Sequence, residues 1–150
     1  GVPLVDAARL LDTPPRSRNE AVASMMRRMN VCEERGTGVD KVVGSCELYQ
    51  LPAPQFEAAD GFTRSTLFAT RALTRMEPAE RIRAVYWHAC LRHVNGQHTN
   101  NASVRQRFAI ADTNSAMASR LLKEAEAAGV IRIFDPDAAL KLRRYVPRWA

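Results

Sequence analysis

Residues 113–123 carry side chains whose types suit contacts with the bases and phosphates of a nucleic acid. Asn and Arg can form paired hydrogen bonds with adenine and guanine, while Ser and Thr suit phosphates or either base. A helix fits the major groove of B-DNA, and its N-terminal turns reach the base edges. We therefore predict contacts with duplex DNA from this segment, together with Asn101 at the start of the preceding helix. The segment supplies Thr113, Asn114, Ser115, Ser119, Arg120 and Lys123.

A second group of cations follows in a predicted hairpin. Residues 130–134 are a predicted strand, the run Asp135-Pro136-Asp137-Ala138 is typical of a type I turn, and residues 141–146 are the predicted return strand. The hairpin cations suit backbone phosphates or the minor groove, although an Arg-Arg pair is also typical of a solvated strand face. These cations are Arg132, Lys141, Arg143 and Arg144.

The elements that would position both groups lie in residues 77–150. Glu77-Pro78 opens a helix, Asn100 or Asn101 caps a short second helix, and Thr113 or Asn114 caps a third helix that ends before Gly129. Helix, short helix, tight turn, longer helix and hairpin are the order of a winged helix-turn-helix domain. Such domains bind double-stranded DNA, and they also serve as protein-interaction or dimerisation modules.

The positive charge of the chain is concentrated in the same region. Residues 77–150 hold 12 Lys and Arg against 7 Asp and Glu, whereas residues 1–76 hold 10 against 9. A basic domain next to a nearly neutral one favours an anionic partner for the basic part. Double-stranded DNA is therefore the predicted partner, and homo-oligomerisation is left open.

The first half is predicted to be a small α/β module over residues 1–72. Ser17 and Glu20 have the spacing of a capping box, and Val22, Met25, Met26 and Met29 then form one apolar stripe of a short helix. We expect this stripe to be core, with a Met-rich binding groove as the alternative. A second helix carries Val39, Val42, Val43 and Cys46 on one face. Two strands follow, at residues 55–57 and 62–68, joined through Asp60-Gly61.

Three segments of this half resemble a known family. They are Arg18-Asn19 with the Met-bearing helix, residues 31–39 with the run Glu34-Arg35-Gly36-Thr37-Gly38, and residues 51–57 followed by a Gly-Phe strand. They resemble the C-terminal region of bacterial transcriptional regulators and RecG-like ATP-dependent DNA helicases that carry a Schlafen/AlbA-type domain at their N-terminus. The tail, residues 143–150, also resembles the end of winged helices attached to that family.

The resemblance implies a GHKL-like ATPase fold in which Gly36, Thr37 and Gly38 contact nucleotide phosphates. Glycines permit close backbone approach, and the start of the following helix favours an anion. The Asn-bearing helix that holds magnesium in that fold would precede Gly1, so the resemblance implies a partial nucleotide site, with ATP and magnesium belonging to a longer parent. A nucleotide-binding or ATPase module is therefore the alternative function.

The sequence predicts no metal site, no catalytic site and no membrane span. His88, Cys90, His93 and His98 lie close in sequence, but a helix separates the first two by about 200°, so no zinc site is predicted, and the two helical histidines are expected at the surface or its boundary. The chain has no P-loop motif. The paired acids at residues 33–34 and 135–137 suit helix capping or solvation, so no catalytic residue is predicted. Without a signal peptide or membrane span, we expect an α+β protein of the cytoplasm with no cofactor in this chain.

Overall fold

Five α-helices and two antiparallel two-stranded sheets make up the described part of the chain, residues 1–32 and 36–150, in a computed structural model. The expected α+β class is confirmed. The paired acids Glu33-Glu34 and the adjoining Arg35, part of the run that carries the family resemblance, lie outside the described residues. In chain order the elements are α1 (Glu20–Arg28), α2 (Gly38–Leu48), β1 (Gln55–Ala59), β2 (Phe62–Thr66), α3 (Pro78–Val94), α4 (Asn101–Arg107), α5 (Ser115–Ala127), β3 (Ile131–Ile133) and β4 (Tyr145–Pro147).

The hairpin predicted in the first half is present. Strands β1 and β2 pair in antiparallel register with Ala59 opposite Phe62, so Asp60-Gly61 forms a two-residue turn. Gly61 has a φ of 80°, which a residue without a Cβ adopts at low cost. The strand β1 is longer than predicted because Ala58 and Ala59 continue the ladder instead of forming the connection.

Helix α1 departs from the sequence prediction in two ways. Asn19, not Ser17, caps the helix, because its side chain accepts a hydrogen bond from the Val22 amide at 3.1 Å. The apolar stripe is also not part of the core: Val22 is 52% exposed and Met25 is 62% exposed. The interpretation of this stripe as core is therefore wrong. The spacing correctly places the residues on one face of the helix, but no described element buries that face.

The core is built around α3, whose Ala84, Val85 and Cys90 are fully buried. The buried cluster joins Val43 of α2 to Ile131 of β3, so residues from both halves of the chain contribute to one core. Trp87 and His88 of α3 are buried as well, because α3 packs against both α2 and α5. The division into residues 1–72 and 77–150 stays a prediction.

A buried polar cluster links α2, α3 and α4. The Nδ1 atom of His88 donates to the carboxylate of Glu47 at 3.0 Å, and the guanidinium of Arg107 lies 3.6 Å from the same carboxylate. Arg107 also donates to the carbonyl oxygen of Leu51 at 2.7 Å. The expected surface position of His88 is therefore wrong. The His88 ring is buried because it supplies the contact between α3 and α2.

The cysteines allow a direct test of this packing. Cys32 is exposed, whereas Cys46 and Cys90 are buried, and burial raises the pKa of Cys90 to about 12. Since the thiolate is the reactive form, both buried thiols should be inert. We expect a disulfide reagent at mildly alkaline pH to modify one thiol rapidly in the folded protein and all three after unfolding in urea. Rapid reaction of all three thiols without denaturant would contradict the packing of α2 against α3.

None of the helices within residues 1–32 and 36–150 has the length and hydrophobicity that a membrane span requires. The same residues also contain no group of three or more His, Cys, Asp or Glu side chains placed to hold a metal ion.

Candidate nucleic-acid interface

Helix α4 is held in place at its first turn. The side chain of Asn100 accepts from the Ser103 amide at 2.9 Å, and the Ser103 hydroxyl lies 3.0 Å from the Asn100 amide, which completes a reciprocal cap. The preceding residue, Thr99, exchanges two backbone hydrogen bonds with Tyr145, at 2.7 and 3.0 Å. The start of α4 is thus joined directly to strand β4, and the predicted cap at this helix is confirmed.

Helix α5 presents its N-terminal turns to solvent. A single turn of 3₁₀ helix, Asp112–Asn114, leads into it, and Ser115, Ser119 and Lys123 are exposed along one side. Buried Ala118, Leu121 and Leu122 anchor the helix to the core. The helix ends as predicted before Gly129, which has a φ of 70°.

The second hairpin brings its cations beside α5. Strands β3 and β4 pair with Ile131 opposite Pro147, and the turn between them is closed by a hydrogen bond from Ala138 to Asp135. The chain then forms a 3₁₀ turn at Leu140–Leu142 where the sequence predicted strand, so the return strand is shorter than expected.

A groove of about 680 Å³ lies between α4, α5 and the second hairpin. Its cations come from three different elements, so the positive charge is concentrated at one place although the residues are far apart in sequence. Arg105, one of these cations, pairs with the carboxylate of Asp112. The groove is lined by Asn100, Asn101, Ala102, Arg105, Ser115, Ser119, Leu122, Lys123, Leu140, Lys141, Leu142, Arg143, Arg144 and Tyr145.

Asn101 ties the two helices of the groove together. Its amide group donates to the carbonyl oxygen of Ser115 and to the hydroxyl of Ser119, both at 2.9 Å. Its amide oxygen accepts from Arg105 at 3.0 Å. The same residue therefore orients an arginine and a serine that face the groove. At the base of the groove, burial raises the pKa of Tyr145, so its hydroxyl stays protonated.

The groove gathers most of the predicted contact residues. Thr113 and Asn114 are exposed in the turn before α5, outside the groove lining. Arg132 points away from it and donates to the carbonyl oxygen of Ala150. Arg120 lies on the other flank of α5, in a smaller cavity of about 210 Å³ with Leu73 and Arg81. The predicted residues that line the groove are Asn101, Ser115, Ser119, Lys123, Lys141, Arg143 and Arg144.

Arg105, Leu140 and Leu142 also line the groove but were not predicted from the sequence as contact residues. Arg105 follows Asn101 by four residues, a spacing that places both side chains on one helix face and that would have identified it. Leu142 falls in the predicted return strand and Leu140 lies just before it, and the alternation of a strand does not indicate that both would be exposed.

The predicted phosphate-binding glycines stand at the start of α2. Gly36 has a φ of 68°, and a Cβ at this position would lie 3.0 Å from the Pro15 ring. Gly38 is the first residue of the helix. Asp40 follows in the first turn, and burial raises the pKa of its carboxyl group. An acid at this position opposes binding of a phosphate when it is ionised, because like charges repel in the same first turn.

Comparison with known proteins extends the account of the first half. Residues 2–67 match the family model described as "Putative ATP-dependent DNA helicase recG C-terminal". This match covers the three segments on which the resemblance rested and ends before α3. Searches against curated proteins and against solved structures gave no match. The first half of the chain is thus similar to a RecG-like, ATPase-related family.

Proposed function

We propose that residues 77–150 form a winged helix that binds double-stranded DNA. The observation that carries the proposal is the groove beside α5, where cations from α4, α5 and the second hairpin converge next to the exposed N-terminal turns of a helix. A phosphate-binding surface next to a helix of this kind is the arrangement that DNA recognition through the major groove requires.

The topology supports the assignment to the winged-helix class. Three helices are followed by a hairpin, and the backbone pairing of Thr99 with Tyr145 adds the segment before α4 to that hairpin as a third, short strand. In this arrangement α4 and α5 are the helix-turn-helix, and the second hairpin, residues 131–147, is the wing.

The docking follows from the position of the groove. If α5 lies in the major groove of the DNA, one sugar–phosphate backbone of the duplex runs along the protein's own groove, between α5 and the wing. Lys123 and Arg105 contact it from the helices, while Arg143 and Arg144 contact it from the wing. Arg120 lies on the other flank of α5, away from the wing. It is therefore the candidate for a contact with the opposite DNA strand or a base edge.

The proposal is tested by fluorescence polarisation of the full chain against random duplex DNA across a salt series. Four or more phosphate contacts predict binding that weakens steeply with salt, with a slope of about −0.9 per contact in a double-logarithmic plot. Binding that does not depend on salt, or no binding at about 50 mM salt, would refute the proposal.

A nucleotide-binding role is a second candidate, favoured by the family match over residues 2–67. It assigns Gly36, Thr37 and Gly38 to the phosphates, with ATP and magnesium completing the site. Calorimetric titration of the full chain with ATP and magnesium tests it. Heat of binding that is lost in a Gly38→Pro variant would support this role, whereas no heat at millimolar nucleotide would exclude it for this chain.

A further inference from the structure

Two leucines in the wing are exposed at the edge of the cationic groove. Leu140 is 74% exposed and Leu142 is 70% exposed. They belong to one 3₁₀ turn, which is closed by a hydrogen bond from the Leu142 amide to the Ala139 carbonyl at 2.8 Å. Their position is therefore fixed by backbone structure, and packing against the core does not explain why both are apolar.

The surroundings of these leucines are cationic. Lys141 lies between them, Arg143 and Arg144 follow directly, and Lys123 lines the same groove from α5. An apolar pair within a rim of positive charge matches a surface that is anionic at its edges and uncharged in its centre. The minor groove of duplex DNA has this character, since phosphates border a floor of base edges and sugars.

The geometry of the proposed complex leads to the same place. If α5 occupies the major groove and one backbone runs between α5 and the wing, the wing lies across that backbone from the major groove. The next surface of the duplex in that direction is the minor groove. This step rests on the proposed function.

We propose that Leu140 and Leu142 lie in the minor groove and select A·T base pairs there. The 2-amino group of guanine projects into the minor groove as a hydrogen-bond donor, while A·T pairs present acceptors only and no such projection. Leucine cannot accept a hydrogen bond, so covering a G·C pair would leave the amino group buried without a partner, which is costly. Covering an A·T pair avoids burying this donor and allows closer contact.

Inosine separates minor-groove from major-groove recognition. An inosine·cytosine pair presents the major-groove edge of G·C but lacks the 2-amino group. We would measure binding of the full chain to alternating A·T, G·C and I·C duplexes of equal length. The wild type is expected to bind A·T and I·C about tenfold more tightly than G·C. The double variant Leu140→Ser, Leu142→Ser should bind I·C and G·C equally, and its salt slope should be unchanged because it loses no charge.

The matched control is Leu48→Ser, since Leu48 is 75% exposed at the end of α2 and lies outside the groove. It should retain the wild-type preference. Equal binding of I·C and G·C by the wild type, or a preference that survives in the double variant, would overturn the inference. If the double variant keeps the DNA profile but loses self-association in sedimentation, the leucines contact a second copy of the chain instead. If the wild type binds none of the three duplexes, the proposed function is refuted as well.

Discussion

Replacement of Arg143 and Arg144 together by alanine is expected to weaken binding to every duplex roughly a hundredfold at about 50 mM salt. Both side chains line the groove beside α5, where the proposed complex places one sugar–phosphate backbone. Each lost phosphate contact also removes about 0.9 from the magnitude of the negative salt slope, so the slope of the double variant should be less negative by about 1.8. Polarisation titrations at several salt concentrations measure both quantities.

A matched loss of charge elsewhere provides the control. Arg16 and Arg28 are exposed in the first half of the chain, outside the groove lining, so replacing both by alanine changes the net charge equally. This variant should bind nearly as tightly as the wild type, with the wild-type slope. Equal weakening by the two double variants would mean that the total charge, and not the groove, governs binding.

Replacement of Glu47 by alanine is expected to lower the free energy of unfolding by about 3 kcal/mol. Its carboxylate contacts both His88 and Arg107, and the Arg107 side chain is only 2% exposed. Without Glu47 the guanidinium stays buried with no opposite charge beside it. Burial already lowers the pKa of Arg107, which shows that the charged form is disfavoured at this position. Urea denaturation followed by circular dichroism measures the change.

Two variants make this prediction specific. Glu57→Ala removes a carboxylate from β1 whose contact is with Gln55, so it should change stability by less than about 1 kcal/mol. Glu47→Gln keeps the shape but removes the charge, and it should fall between Glu47→Ala and the wild type. A Glu47→Ala protein as stable as the Glu57→Ala protein would show that the cluster contributes nothing to the contact between α2 and α4.

The local elements of the second half could be predicted because their signals are local. Asn100 caps α4 through a residue three positions away, and Gly129 follows α5 in a conformation that favours glycine. The same holds for the turn after Asp60. Caps and turns depend on neighbouring residues, so the amino-acid sequence contains the whole interaction.

Burial was harder to predict because it depends on distant partners. The stripe that contains Val22 and Met25 has the spacing of a core face, but periodicity states which residues share a face and not whether another element covers it. His88 is buried because Glu47, 41 residues earlier, lies beside it. No pattern within α3 indicates such a partner. For the same reason the sequence indicated which cations suit DNA but not that Arg120 and Arg132 would lie apart from the groove.

Mapping the bound DNA onto the chain tests the central proposal most directly. Amide chemical shifts of the isotope-labelled full chain would be recorded during titration with a random duplex. Perturbations are expected to concentrate in residues 101–105, 115–123 and 140–145, while the signals of residues 36–38 and of the exposed face of α1 stay unchanged. Perturbations confined to the first half, or no perturbation at saturating DNA, would contradict it.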